Sequence, residues 1–182
     1  VMRRVLFDHA RTARIGMPEA VFCEGKSPEI VRELLEEFSR GKEKSILFTR
    51  LAPEVFYSFP KAVQEGVDYH ALSRTAFAAP QAYRERGRVA VVSAGTADGA
   101  VTWEAARTLE YLGIPHTVYE DSGVAGLWRL TERLEEINAC DAVVVVAGLD
   151  AALASVLGGL TPRPVFAVPT SVGYGAARNG ET

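Results

Sequence analysis

The stretch Val89–Asp98, VAVVSAGTAD, carries the reading of the fold. Val89 to Val92 is a short run rich in β-branched residues, which predicts a buried strand. Ser93, Gly95 and Thr96 follow, and then the carboxylate of Asp98. From Val101 to Leu112 the apolar residues recur at helical spacing, and Gly113 stops the pattern. A strand, a turn of small residues and a helix start bring free backbone N–H groups and the positive end of a helix dipole together. Ser93 and Thr96 would add hydroxyl donors, and Asp98 suits a ribose hydroxyl or a metal-bound water. The same residues also read as a plain βα turn.

Working downstream, the pattern repeats. A strand at His116–Tyr119 leads through Glu120-Asp121-Ser122-Gly123 into a helix expected from Val124 to Asn138. A strand at Ala142–Val146 leads through Ala147-Gly148-Leu149-Asp150 into a helix expected over Ala151–Leu157, ended by Gly158-Gly159. A strand at Val165–Val168 leads into Pro169-Thr170-Ser171-Val172-Gly173-Tyr174-Gly175. Continuous apolar strands alternating with helices predict a three-layer αβα domain on a parallel sheet. Ligands of such sheets sit outside the strand carboxyl ends. The candidate ligand groups are therefore Ser93, Gly95, Thr96 and Asp98 in the first loop, and Ser122, Gly123 and Val124 in the second. Gly148 belongs to the third, and Thr170, Ser171, Gly173, Tyr174 and Gly175 to the fourth. Asp150 is the carboxylate of most interest: it reads as a helix cap, or as a group that orients a cationic ring, moves a proton or binds Mg²⁺.

Upstream, a second and smaller α/β domain is expected, with the division at 1–86 and 87–182. Val1–Ile15 can form an amphipathic helix with Phe7 and Ile15 as apolar anchors and Pro18 beyond its end. Ala20–Cys23 reads as a strand. Ser27-Pro28-Glu29 opens a helix with a cap, a proline at its first turn and an acid at its positive end. Ile30, Val31, Leu34, Leu35 and Phe38 form its apolar face, and Ser45–Thr49 is the next strand. Arg50–Pro60, with Phe56, Tyr57 and Phe59, reads as core packing or as a contact surface. Asp68–Ala78 reads as one strand, and Ala79–Arg88 as a linker.

Charge is divided unevenly. Residues 1–88 hold 15 lysines and arginines against 12 acids, a net of +3, and residues 89–182 hold 5 against 11, a net of −6. The basic residues are interleaved with acids and form no block, which argues against a nucleic-acid-binding face. The longest apolar run, Ala142–Ala147, is far short of a membrane span, and the first residues lack the apolar segment of a secretory signal. Cys23 and Cys140 have no metal-binding spacing and suit a reducing cytoplasm. GxxxxGK[ST] is absent, and GYGAAR breaks the dinucleotide pattern at its last position. None of His9, His70 and His116 stands in a triad-like context.

Taken together, Ser93–Asp98 (SAGTAD), Gly123–Leu127 (GVAGL), Val146–Leu153 (VAGLDAAL) and Val168–Gly175 (VPTSVGYG) resemble the LarB family. In the first half, Phe7-Asp8-His9, Pro18–Phe22 and Glu24–Glu29 are similar to its N-terminal region. The second half is also similar to the octameric aminoimidazole ribonucleotide carboxylases. Their catalytic histidine lies in a loop matching Gly148–Ser155, which has no histidine here; by position, Ser155 is a further candidate contact.

The resemblance implies a pyridinium-3,5-biscarboxylic acid mononucleotide synthase of nickel-pincer cofactor biosynthesis. Such an enzyme carboxylates the ring of nicotinic acid adenine dinucleotide with CO₂ or bicarbonate and then hydrolyses the phosphoanhydride, releasing AMP. A thiolate adding to the electron-poor ring would create a carbon able to attack CO₂, and Mg²⁺ is expected at the diphosphate. A homo-oligomer, an octamer by resemblance, is also implied. Four departures stand out. The family's nucleophilic cysteine, in a further C-terminal helix, and its short N-terminal helical region have no counterpart in these residues. Asp150 stands where glutamate is usual, and Trp128 where histidine is common. A nucleotide-binding module without chemistry and a purine-type carboxylase are the alternative readings.

Overall fold

The computed structural model describes residues 6–8, 10–39, 45–148 and 151–172. The chain divides into two compact units, Val1–Ala82 and Tyr83–Thr182.

In the first unit, α1 (Arg11–Ile15) is closed by Gly16 in the left-handed region at φ 76°. The helix expected over Val1–Ile15 is therefore present only at its end, as Leu6–Asp8 are not helical and residues 1–5 and 9 lie outside the described residues. Ile15, expected as an apolar anchor, is exposed, whereas Phe7 packs its ring on Phe38 at 4.9 Å. β1 (Ala20–Phe22), α2 (Pro28–Ser39) and β2 (Ile46–Thr49) form a parallel βαβ unit. Val31, Leu34, Leu35 and Phe38 recur along one face of α2, and all four are buried. Two short helices, α3 (Pro53–Tyr57) and α4 (Lys61–Gln64), follow. Phe56 and Phe59 enter the core while Tyr57 stays exposed, so Arg50–Pro60 is mainly packing.

The single strand expected over Asp68–Ala78 is instead a hairpin, β3 (Asp68–His70) and β4 (Thr75–Ala78), paired antiparallel. Its turn has no glycine to announce it. Arg74 takes the left-handed conformation at φ 54°. The Ser73 hydroxyl holds the corner together, between His70 Nδ1 at 2.9 Å and the Thr75 hydroxyl at 2.8 Å. Side-chain hydrogen bonding has replaced the usual turn residues. The sheet order is β1-β2-β4-β3.

The second unit contains β5 (Val89–Ser93), α5 (Gly99–Tyr111), β6 (His116–Tyr119), α6 (Leu127–Thr131), α7 (Leu134–Asn138), β7 (Ala142–Ala147), α8 (Ala152–Leu160) and β8 (Val165–Pro169). The four strands are parallel, in the order β6-β5-β7-β8. Leu130, Ile137, Leu153 and Leu157 of α6, α7 and α8 pack with Val92, Val143 and Val145. α5 packs against β5 and β6, which right-handed crossovers place on the other face.

Two expected helix boundaries shift. The helix expected from Val124 to Asn138 is a 3-10 turn at Val124–Gly126 followed by α6 and α7. The break falls at Arg133, whose side chain reaches back to the Glu120 carbonyl and the Ser122 hydroxyl. Gly158 and Gly159 do not end α8, which runs on to Leu160. Neither glycine has a positive φ; the stop comes at extended Thr161, the residue before Pro162, where a helical conformation is disfavoured.

Candidate functional site

The strand order turns at β5, from which the chain goes first to β6 on one side and then to β7 on the other. Between β5 and β7 the loops diverge and leave a crevice, as in other doubly wound sheets. A cavity of about 420 Å³ lies there, within the usual size of small-molecule sites. Ala94, Gly95, Ala97 and Asp98 line it from the β5 loop. Asp121, Gly123, Val124 and Ala125 line it from the β6 loop, Ala147 and Gly148 from the β7 end, and Val172 from the β8 loop. Arg129 of α6 and Ala152 and Leu153 of α8 complete it.

The loops hold one another. Asp98 is buried, and its Oδ2 accepts the Gly95 N–H at 3.0 Å. Its Oδ1 accepts the Thr170 hydroxyl at 2.7 Å, across 72 residues of chain. Thr102 donates to the Asp98 carbonyl at 2.9 Å. Asp98 is therefore a tie between the β5 and β8 loops. Each of its oxygens keeps a further acceptor site, and Asp98 also lines the cavity. Ser122 donates its N–H to the Ser93 carbonyl at 2.8 Å, joining the β5 and β6 ends.

Two glycines allow the close approach. A Cβ on Gly123 would lie 2.7 Å from the Ala94 carbonyl oxygen, and one on Gly148 would lie 2.0 Å from that of Val172. Backbone meets backbone at both places, so only glycine fits.

Of the candidate residues, Gly95, Asp98, Gly123, Val124 and Gly148 line the cavity. Ser93, Ser122 and Thr170 are buried and outside its lining, Ser93 with its hydroxyl unpartnered among the described residues. Thr96, Ser155 and Ser171 are exposed and outside the lining. Asp150, Gly173, Tyr174 and Gly175 lie outside the described residues.

Sequence reasoning missed the Asp121–Arg129 ion pair, 2.7 Å long at the cavity wall. Asp121 sits in the left-handed region at φ 54°. The signal was present in DSGVAGLWR, an acid and an arginine at the two ends of a glycine-containing turn.

The two cysteines do not serve this site. Cys23 is buried in the first unit, and burial pushes its thiol up to about 12 against the nearby Lys26, which pulls it down. Cys140 is buried just before β7, at the amino end of the strand, and burial raises it as well. The loops converge at the carboxyl ends instead. His116 stands at the amino end of β6, its Nδ1 3.1 Å from the Ile114 carbonyl. Among the described residues no three of His, Cys, Asp and Glu come together. Of the two carboxylates considered for Mg²⁺, Asp98 is tied to Gly95 and Thr170, and Asp150 lies outside the described residues. Among them, too, no helix is long and apolar enough to cross a membrane.

Comparison with known proteins agrees with this architecture. Residues 2–81 match the LarB/PurE-like N-terminal domain, and residues 88–179 match AIR carboxylase. The uncharacterized protein MJ0165 of Methanocaldococcus jannaschii is 29% identical over 186 residues, which cover 96% of this chain and 71% of that protein. Family membership supports a carboxylase-type role. By these two domains in this order, the chain belongs to the LarB family, with an AIR carboxylase domain as its second half.

Proposed function

We propose that the cavity binds the pyridinium mononucleotide half of nicotinic acid adenine dinucleotide, and that carboxylation and phosphoanhydride hydrolysis take place there. The observation that carries this reading is the convergence of four strand-end loops on a cavity of about 420 Å³ in a domain of the AIR carboxylase family. The overall change balances without an oxidant. One ring C–H becomes C–COO⁻ as CO₂ adds and a proton leaves, while water splits the anhydride to give AMP and the mononucleotide.

The chain's own groups bind and orient. The tied loops present glycine and alanine, against which a flat ring can lie. Preorganised loops of this kind need no rearrangement when charge develops. Asp98, fixed by Gly95 and Thr170, puts negative charge near a cationic ring without approaching it as a base. Ring activation by a thiolate requires a sulfur that Cys23 and Cys140 do not bring to the cavity. The purine-type alternative needs a histidine there, and neither His70 nor His116 is among the described residues that line the cavity.

The test combines the protein, the dinucleotide and isotopically labelled bicarbonate, with mass spectrometry of the pyridine product, with and without a small added thiol. Label that depends on the added thiol supports the reading. Label without it would mean that a resident group activates the ring. Binding of the dinucleotide with no label in either condition would favour a module without chemistry. Turnover of aminoimidazole ribonucleotide would favour the purine-type enzyme.

A further inference from the structure

Among the described residues lining the cavity, three carry charge: Asp98, Asp121 and Arg129. Asp98 is buried and already accepts two hydrogen bonds from within the protein, whereas Asp121 and Arg129 are partly exposed and hold the charge that a ligand meets first. Arg129 Nη1 donates to Asp121 Oδ2 at 2.7 Å. Its Nε is buried and has no partner among the described residues. A guanidinium offers five N–H donors in a planar fork suited to phosphate oxygens, and much of that fork is unspent here.

The fork has a prepared seat. A Cβ on Gly126 would lie 2.9 Å from both Nε and Nη2 of Arg129, so the guanidinium occupies the space that a side chain at 126 would take. Gly126 itself has φ −123°, outside the left-handed region. Glycine is thus needed at 126 for the place of the arginine, not for the path of the backbone. Asp121, on the opposite end of the same turn, holds the guanidinium at the wall.

We infer that Arg129 is the phosphate-binding group of this cavity, seated by Gly126, and that Asp121 restrains it in the empty site and yields it to the incoming phosphate. The inference rests on the reading that the cavity takes a phosphorylated nucleotide, and it adds which residues recognise the phosphate. The acid is a partly exposed competitor; its ion pair is worth little by itself, while its charge beside an arriving phosphate is repulsive.

The experiment is calorimetric titration of the protein with nicotinic acid mononucleotide and, in parallel, with the phosphate-free riboside. Gly126→Ala is the decisive variant, because its Cβ displaces only the far end of a flexible side chain and leaves the fold intact. G126A and R129Q should each weaken the mononucleotide at least tenfold and leave the riboside within twofold. Arg129→Lys, which keeps the charge without the fork, should fall between. Asp121→Asn keeps a residue suited to the left-handed region and should tighten the mononucleotide at least threefold. Thermal melts of all four variants are compared with the parent, so that a lost fold is recognised as such. Unchanged mononucleotide affinity in G126A or R129Q overturns the assignment, as does failure of the parent to bind it at millimolar concentration. Weaker or equal binding in D121N overturns the exchange. These probes require no turnover, so the labelled-bicarbonate assay can fail while this inference stands, and the reverse.

Discussion

Breaking the Asp98 tie should loosen the cavity from its base, and the structure allows the size to be worked out. The carboxylate is 5% exposed and accepts two hydrogen bonds, from the Gly95 N–H and the Thr170 hydroxyl. A hydrogen bond to a charged group contributes about 1.5–3 kcal/mol, and a donor left buried without a partner costs about 1–3 kcal/mol. Asp98→Ala strands both donors and should cost about 3–4 kcal/mol on that basis. Thr170→Val leaves Oδ1 without its donor and should cost about 1–3 kcal/mol. Asp98→Asn is much milder, at about 1 kcal/mol, because its carbonyl can accept from Gly95 while its amide donates to a rotated Thr170 hydroxyl.

The assay is denaturant unfolding followed by tryptophan fluorescence. Trp103 and Trp128, the two tryptophans of the sequence, both belong to the second unit, so the signal reports that unit alone. Asp98→Ala and Thr170→Val should be coupled in a double-mutant cycle by about 1.5–3 kcal/mol, the value of the shared charged bond. Additivity within about 0.5 kcal/mol would refute the tie. Asp98→Asn as damaging as Asp98→Ala would show that the charge itself, and not the pattern of donors, holds the loops.

Three further outcomes follow from the same geometry. Gly148→Ala forces a Cβ into backbone, 2.0 Å from the Val172 carbonyl oxygen; loss of about 2–4 kcal/mol is expected, together with weaker nucleotide binding, by melting and titration. Cys23 keeps its proton in the folded chain up to about 12, above its ordinary 9.0. Its contribution is fully present below pH 9 and is lost as pH rises from there toward 12, so Cys23→Ala should flatten the alkaline limb of a stability profile. Tyr69 donates to the Leu51 carbonyl at 2.9 Å; Tyr69→Phe should lower the stability of the first unit by about 1 kcal/mol in thermal melts, and an unchanged midpoint would refute that contribution.

Much of this protein was legible from periodicity and from the small residues at strand ends. The runs at Val89 and Ala142 are apolar because β5 and β7 are the inner strands of a parallel sheet and bury most of their positions, whereas the edge strands β6 and β8 leave most of theirs partly or fully exposed. Local chemistry also announced α2, where a serine, a proline and an acid open a helix whose apolar face recurs every three to four residues. The hairpin at Asp68–Ala78 was not legible, because its turn is held by Ser73 and a left-handed Arg74 rather than by glycine or asparagine. The continuation of α8 through Gly158 and Gly159 was equally hidden, since glycine permits a stop without requiring one.

The site divides in the same way. The sequence by itself determined that glycine- and hydroxyl-bearing loops end the strands, since that follows from chain order and composition. Only the tertiary structure decided which partners the described groups meet. Asp98 spends its charge on a partner 72 residues away, and Arg129 meets Asp121 across a turn whose glycine gives it room. Hydrogen-bond donors and acceptors are few, and those engaged within the fold are less free for a ligand. Whether a carboxylate is open to a ligand or consumed within the fold depends on which neighbours arrive first, and distance along the chain does not disclose them.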